Sequence, residues 1–219
     1  MDRLPLYIYF IVASFLTSLL AYSSRNRDYP YLKTFPVYLL LTLGTEALGN
    51  YLALHNRNNL LLYNSFSVVS FTYFSWIISR MIGSRKAKVI IRTTILFFLA
   101  LAVINASFIQ GMKQFHTITY SVGCLMIVAA AVYFFLELFS LPKSVNLRSN
   151  PPFWICSGLL FWHCCGFPLY GLINVWGPAY PLLAKNFSAI VNILNIFLYS
   201  LFVIGFLCIR TPKYISSRS

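Results

Sequence analysis

Seven runs of apolar residues, each long enough to cross a bilayer, follow one another with short polar connections between them. They cover residues 6–23, 37–54, 60–82, 89–109, 117–140, 153–172 and 187–209. A hydrocarbon core about 30 Å thick takes about 20 residues of helix, and only helix satisfies backbone N–H and C=O groups within a single segment. The expected fold class is therefore an all-α membrane protein: one domain, a bundle of seven transmembrane helices. Composition agrees, because 59% hydrophobic residues and 10% charged residues leave too little polar surface to cover a water-soluble globule of 219 residues. No soluble catalytic or nucleic-acid-binding domain fits beside seven spans.

The charge pattern gives an orientation. Lysine and arginine are retained on the cytoplasmic side of a membrane. The first, third and fifth connections and the C-terminal tail carry Arg25, Arg27, Lys33, Arg80, Arg85, Lys86, Lys88, Lys143, Arg148, Arg210, Lys213 and Arg218. The N-terminus and the other three connections carry one each: Arg3, Arg57, Lys113 and Lys185. Arg92 lies early in the fourth run. The alternation predicts an N-terminus outside and a C-terminus in the cytoplasm, in a multi-pass protein of the cytoplasmic (inner) membrane. It also accounts for the net charge of +13 without a nucleic-acid partner. Cleavage of the first run as a signal peptide, loosely suggested by Ala21-Tyr22-Ser23, would invert every later connection, so the first run reads as a retained helix.

Ionisable and amide groups inside the runs are costly and become the candidate ligand-binding residues. Glu46 lies about ten residues into the second run, in an i, i+4, i+8 stripe with Thr42 and Asn50. Such a carboxyl either serves a ligand or bonds a neighbouring helix. His163 lies mid-way along the sixth run, beside Cys164 and Cys165. Consecutive helical residues point about 100° apart, so this triplet cannot present three ligands to one metal ion, and no metal or cofactor is expected. Asn192 and Asn195, with Ser188 and Tyr199, share a face of the seventh run. Asn64 with Ser67 on the third run and Asn105 on the fourth complete a polar set whose members lie mostly towards the outer half. The set reads as a ligand site open to the outside or as amides that hold helices together. Pro168 is expected to bend the sixth helix. Arg92 and Glu137 could pair near the cytoplasmic side, and Tyr7, Tyr9, Trp76, Trp154 and Trp176 read as an interfacial belt.

Some chemistries are absent. The seventh run has no lysine to carry a retinal Schiff base, and no HExxH or GxSxG motif or paired intramembrane aspartates occur. The expectation is no enzyme.

Several stretches carry a family resemblance: Leu62-Tyr63-Asn64, Phe108-Ile109-Gln110-Gly111, Phe115-His116-Thr117-Ile118-Thr119-Tyr120, Gly123, and Tyr133-Phe134-Phe135-Leu136-Glu137-Leu138. Pro142, Leu147 and Pro152-Phe153-Trp154-Ile155-Cys156-Ser157-Gly158 extend it. Over residues 60–165 the chain resembles small seven-helix membrane proteins of the Bacteroidota, which are largely uncharacterised and often look like neighbours of histidine kinases. That resemblance implies an accessory role in sensing or signalling and supplies no binding residues.

The reading that follows is a membrane sensor. An unknown small ligand or a change in the bilayer would act on the outer half, and a cytoplasmic histidine kinase or another signalling protein would be reached through Arg85, Lys86, Lys88 and Lys143. The alternatives are a small-solute or proton-coupled transporter, with Glu46 and His163 handling protons, and a structural membrane subunit. Orientation is testable with fluorescent-protein and alkaline-phosphatase fusions. A fluorescent protein at the C-terminus should fold and glow, and a phosphatase placed after Arg57 should be active; the opposite pattern would invert the topology.

Overall fold

A computed structural model of the protein describes residues 5–23, 29–140, 146–174 and 181–210. Its regular elements are all helical among the described residues. They are α1 (Leu6–Ser23), α2 (Phe35–Leu54), α3 (Leu60–Met81), α4 (Arg85–Ile104), α5 (Thr117–Phe139), α6 (Pro151–Gly171) and α7 (Pro181–Leu207). Six of the seven are long and apolar enough to cross a membrane, which makes this a multi-pass membrane protein. In α1 the described apolar stretch, Leu6–Leu20, is shorter.

Four of the helices, α2, α4, α6 and α7, begin a few residues earlier than the apolar runs do. Pro36 lies in the first turn of α2, and Pro151 and Pro152 open α6, where a missing N–H costs nothing and a fixed φ favours the helix. At the other end of α2, Asn56 takes a left-handed φ of 52° and the Arg57 amide donates back to the Leu52 carbonyl at 2.8 Å, ending the helix.

The start of α4 differs from expectation. Arg85, Lys86 and Lys88 belong to its first turns rather than to the preceding connection. Cations at the positive end of a helix dipole are unfavourable. A carboxylate from α5 offsets them: Glu137 accepts from the Gly83 amide at 3.0 Å and from the Ser84 amide at 2.9 Å. Ser84 caps the same end by accepting from the Ala87 amide. Glu137 thus holds a helix terminus; the exposed Arg92, two turns further along α4, is not among its hydrogen-bonding partners.

Packing arranges six helices in a ring. Going round, α1 packs on α2, α2 on α3, α3 on α5, α5 on α6, α6 on α7 and α7 back on α1. Helix α4 stands outside this ring, against α3 and α5, and turns Leu96, Phe97 and Val103 outward. Such a face suits lipid. The ring's two ends differ in charge: Lys33, Arg80, Arg85, Lys86 and Arg148 are exposed at the end where α2, α4 and α6 begin, against Arg57, Lys113 and Lys185 at the other.

Replacing Glu137 by alanine should lower unfolding stability by about 1.5–3 kcal/mol, the usual worth of hydrogen bonds to a charged group. Thermal unfolding in detergent checks this, with Arg92→Ala expected to be close to neutral.

Candidate functional site

The interior of the ring is not filled. A cavity of about 440 Å³ occupies it, within the usual size range of small-molecule sites. Each of the six ring helices, or a connection beside it, contributes to the wall, and α4 contributes nothing among the described residues. The wall runs from Asn59 and Leu60, at the less basic end, to Tyr38, one turn inside the basic end. More than half of the lining residues are Tyr, Phe or Trp.

Glu46 is the acidic group of this wall. Its carboxyl accepts a hydrogen bond from the Tyr7 hydroxyl of α1 at 2.6 Å. Tyr63 of α3 is a second hydrogen-bonding neighbour, and Tyr170 and Tyr199 line the same cavity. The approach of Tyr63 depends on a glycine. A Cβ at Gly49 would collide with the Tyr63 hydroxyl and lie 2.8 Å from Cζ, so the missing side chain lets the phenol rest against α2 one turn from Glu46.

Deeper in the cavity lies His163, buried at 2% exposure. Its Nδ1 is 2.7 Å from the Leu159 carbonyl, which can only accept, so Nδ1 carries a proton and Nε2 of the neutral ring is an acceptor. The ring packs against Trp162, Phe71 and Phe74 with centroids 4.9, 5.5 and 6.2 Å away. Across from it, Asn195 accepts from the Trp162 indole at 3.1 Å. Pro168 lies inside α6, between the lining residues Trp162 and His163 on one side and Tyr170 on the other.

The two ends of the cavity are built differently. Towards the less basic end, an aromatic cluster centred on Tyr170 gathers Tyr120, Phe187, Phe115 and Trp162, with centroids 4.9 to 6.2 Å from it. Towards the basic end, Tyr38 and Phe74 form the floor, 4.8 Å apart. Beneath them Phe35, Phe202 and Phe206 are fully buried and pack edge to face, Phe35 lying 5.6 and 5.2 Å from the other two. The cavity therefore ends on several layers of ring.

Of the residues singled out from sequence, the cavity brings together Glu46, His163, Asn195 and Tyr199. Thr42 and Ser67 line it as well. Asn50 and Asn192 do not; each keeps one buried side-chain atom without a partner, Nδ2 and Oδ1 respectively. The lining stripe on α2 is Tyr38, Thr42 and Glu46, one turn nearer the basic end than the stripe read from sequence. On α7 it is Phe187, Val191, Asn195, Leu198 and Tyr199, and Asn192 falls about 100° away from Val191.

Asn64 and Asn105 do different work. Asn64 donates to the Gln114 carbonyl at 3.1 Å and accepts from the His116 amide at 3.0 Å, fastening the α4–α5 connection to α3. Asn105 donates to Gln110 and to Thr119, each at 2.9 Å, and opens a π-helical turn, Asn105–Ile109, at the end of α4. Gln110 donates in turn to Thr117 at 2.8 Å, and Gly111, with φ at 64°, supplies the left-handed step that makes this polar knot compact. Arg85 and Lys86 are exposed and Lys88 half-buried at the start of α4, whereas Lys143 falls outside the described residues.

Sequence reasoning missed Tyr7, Tyr38, Tyr63, Tyr120, Trp162 and Tyr170. Tyr7 was assigned to the interfacial belt by its place near a run end, yet its hydroxyl is bound to Glu46. A helical stride did carry the signal: Tyr63, Phe66, Ser67, Ser70, Phe71 and Phe74 recur at intervals of three and four along α3, the spacing of one face.

No family model matches the chain, and neither curated proteins nor solved structures give a match. Among the described residues no group of three or more His, Cys, Asp or Glu is placed to hold a metal ion. The geometry offers a carboxyl, an imidazole and an amide around an aromatic chamber, which can orient a small molecule by its polar end.

Gly49→Val should push Tyr63 away from Glu46 and reshape this wall, and Asn64→Ala should instead loosen the α4–α5 connection. Hydrogen exchange on the purified protein separates the two. The first should deprotect α3 near Tyr63, the second residues 110–117, with a loss of about 1–3 kcal/mol for the orphaned partners.

Proposed function

We propose that the chain is a seven-span membrane sensor, in which a small ligand seated beside Glu46 biases the packing of the ring and a cytoplasmic partner reads the change. The observation that carries this reading is the asymmetry of the cavity: its wall reaches the less basic end, and its floor is closed by Phe35, Phe202 and Phe206. With the basic end in the cytoplasm, as the charge distribution favours, a ligand arrives from outside in the inner membrane and stops on the aromatic floor. Helix α1 is the seventh span in this reading, since it packs between α2 and α7 and supplies Tyr7 to the interior.

Coupling requires the ligand to bind two arrangements of the helices with different affinity. Tyr7 of α1, Glu46 of α2 and Asn195 of α7 lie on three helices, so a ligand touching all three favours one relative position of them. The output surface is the start of α4 with Arg85, Lys86 and Lys88. Because Glu137 ties the amides before α4 to α5, motion of α5 in the ring is passed to that surface. In this reading the partner, a histidine kinase or another signalling protein, supplies the response.

The second reading, a proton-coupled transporter, draws on one observation: a carboxyl and an imidazole share the same chamber. A photo-crosslinking amino acid at Lys86 in native membranes tests the choice. A sensor should give one recurring signalling partner, lost when Arg85, Lys86 and Lys88 become alanine and captured severalfold differently when Ser67→Trp fills the cavity. Recovery of this chain alone, together with solute uptake into proteoliposomes that Glu46→Gln abolishes, would move the function to transport.

A further inference from the structure

The chemistry of the cavity wall narrows the class of ligand, and the narrowing rests on the reading of this cavity as a ligand site. In a chain with 17 lysines and arginines against four aspartates and glutamates, one of the four acids faces the cavity, and among the described residues no lysine or arginine does. A site for an anion or a carboxylate would reverse that choice. The Tyr7 hydroxyl, 2.6 Å from one carboxyl oxygen, fixes the orientation of the group, and with Tyr63 as a second neighbour the two oxygens still have acceptor capacity for a ligand. Tyr63, Tyr170, Tyr199 and Phe187 line the same cavity, the ring centroid of Phe187 lying 5.2 Å from that of Tyr170.

A cation gains from both parts of such a wall. Its N–H groups donate to a carboxylate in a charge-assisted hydrogen bond, and the negative faces of aromatic rings within about 6 Å attract it further. The rest of the chamber is apolar and ringed by phenylalanine, tryptophan and tyrosine, so the molecule carrying the cation needs an apolar or aromatic body. The volume of about 440 Å³ lies towards the lower end of the range of roughly 300–1,000 Å³ usual for small-molecule sites, which sets the scale of a compact molecule. At the far end, Asn195 and the Nε2 of His163 offer places for a second polar group.

We infer that the cavity takes a compact organic ammonium ion, an amine on an aromatic or apolar body, with its charged nitrogen at Glu46 and its body between the rings of α3, α6 and α7.

A matched series of probes tests this on the purified full-length chain in nanodiscs: 2-phenylethylamine, 2-phenylethanol and phenylacetate, which share a body and differ in the charge of the end group. Binding is followed by isothermal titration and by the fluorescence of the protein's tryptophans, one of which, Trp162, lines the cavity. The amine should bind at least tenfold more tightly than the alcohol, and the acid more weakly than both. Glu46→Gln should remove the amine's advantage while leaving the alcohol unchanged, and Glu46→Asp should restore part of it. Should Glu46→Gln fail to fold, Tyr7→Phe serves as a second variant, expected to weaken the amine several-fold and spare the alcohol. Equal binding of amine and alcohol, or an advantage that survives Glu46→Gln, would overturn the ammonium assignment and leave the ligand site standing. Binding of none of the three would remove the ligand site and the assignment together.

Discussion

Lipid gives a polar side chain no alternative partner, so a carboxyl in the twelfth position of α2 has to be answered by the protein itself, and Tyr7 answers it at 2.6 Å. That bond joins α1 to α2 across the inner face of the ring, and α1 is the helix through which the ring closes on α7. The cavity, its aromatic walls and its floor all presuppose this closure. The glycine at 49 belongs to the same arrangement, because it lets a second phenol rest beside the carboxyl from the α3 side.

The polar groups of the membrane interior divide into two sets with different physical roles. One set bonds within the protein: Asn64, Asn105, Gln110, Thr117 and His116 bond to each other, to Thr119 or to nearby backbone and fix the α4–α5 connection, with Asn105 Oδ1 left without a partner. The other set, Glu46, His163 and Asn195, faces a space large enough for a guest. Amides that bond within the protein lower the energy of one packing. Polar groups facing a chamber leave capacity unused until something occupies it.

The helices themselves were legible in the sequence because hydrophobic length and the lipid solvent admit few alternatives, and the observed elements start within a few residues of the apolar runs except where proline or basic residues extend a helix outward. The fold at the next level was less legible. Nothing in the order of the runs places α4 outside the ring, because that position depends on which helices become neighbours. The candidate site was half legible. Glu46, His163 and Asn195 stand out as polar atoms in apolar helices, whereas Tyr7, Tyr63 and Tyr170 are ordinary membrane residues whose role comes from which helices are neighbours. For the same reason Asn64 and Asn105 could not be told from site residues: their partners, the Gln114 carbonyl and Thr119, become neighbours only when the chain turns back on itself.

The order of the helices along the chain bears on how the protein can be made. The donor that quiets Glu46 lies thirty-nine residues before it, so when the acidic helix emerges from the ribosome its partner has already been synthesised. The last wall arrives with α7, which contributes Phe187, Val191, Asn195, Leu198 and Tyr199 and meets the first helix to complete the ring. Biogenesis therefore supplies the chamber in a fixed sequence, first a protected acid and last the closing wall, and a nascent chain that stalls before α7 carries the protected acid without the room around it.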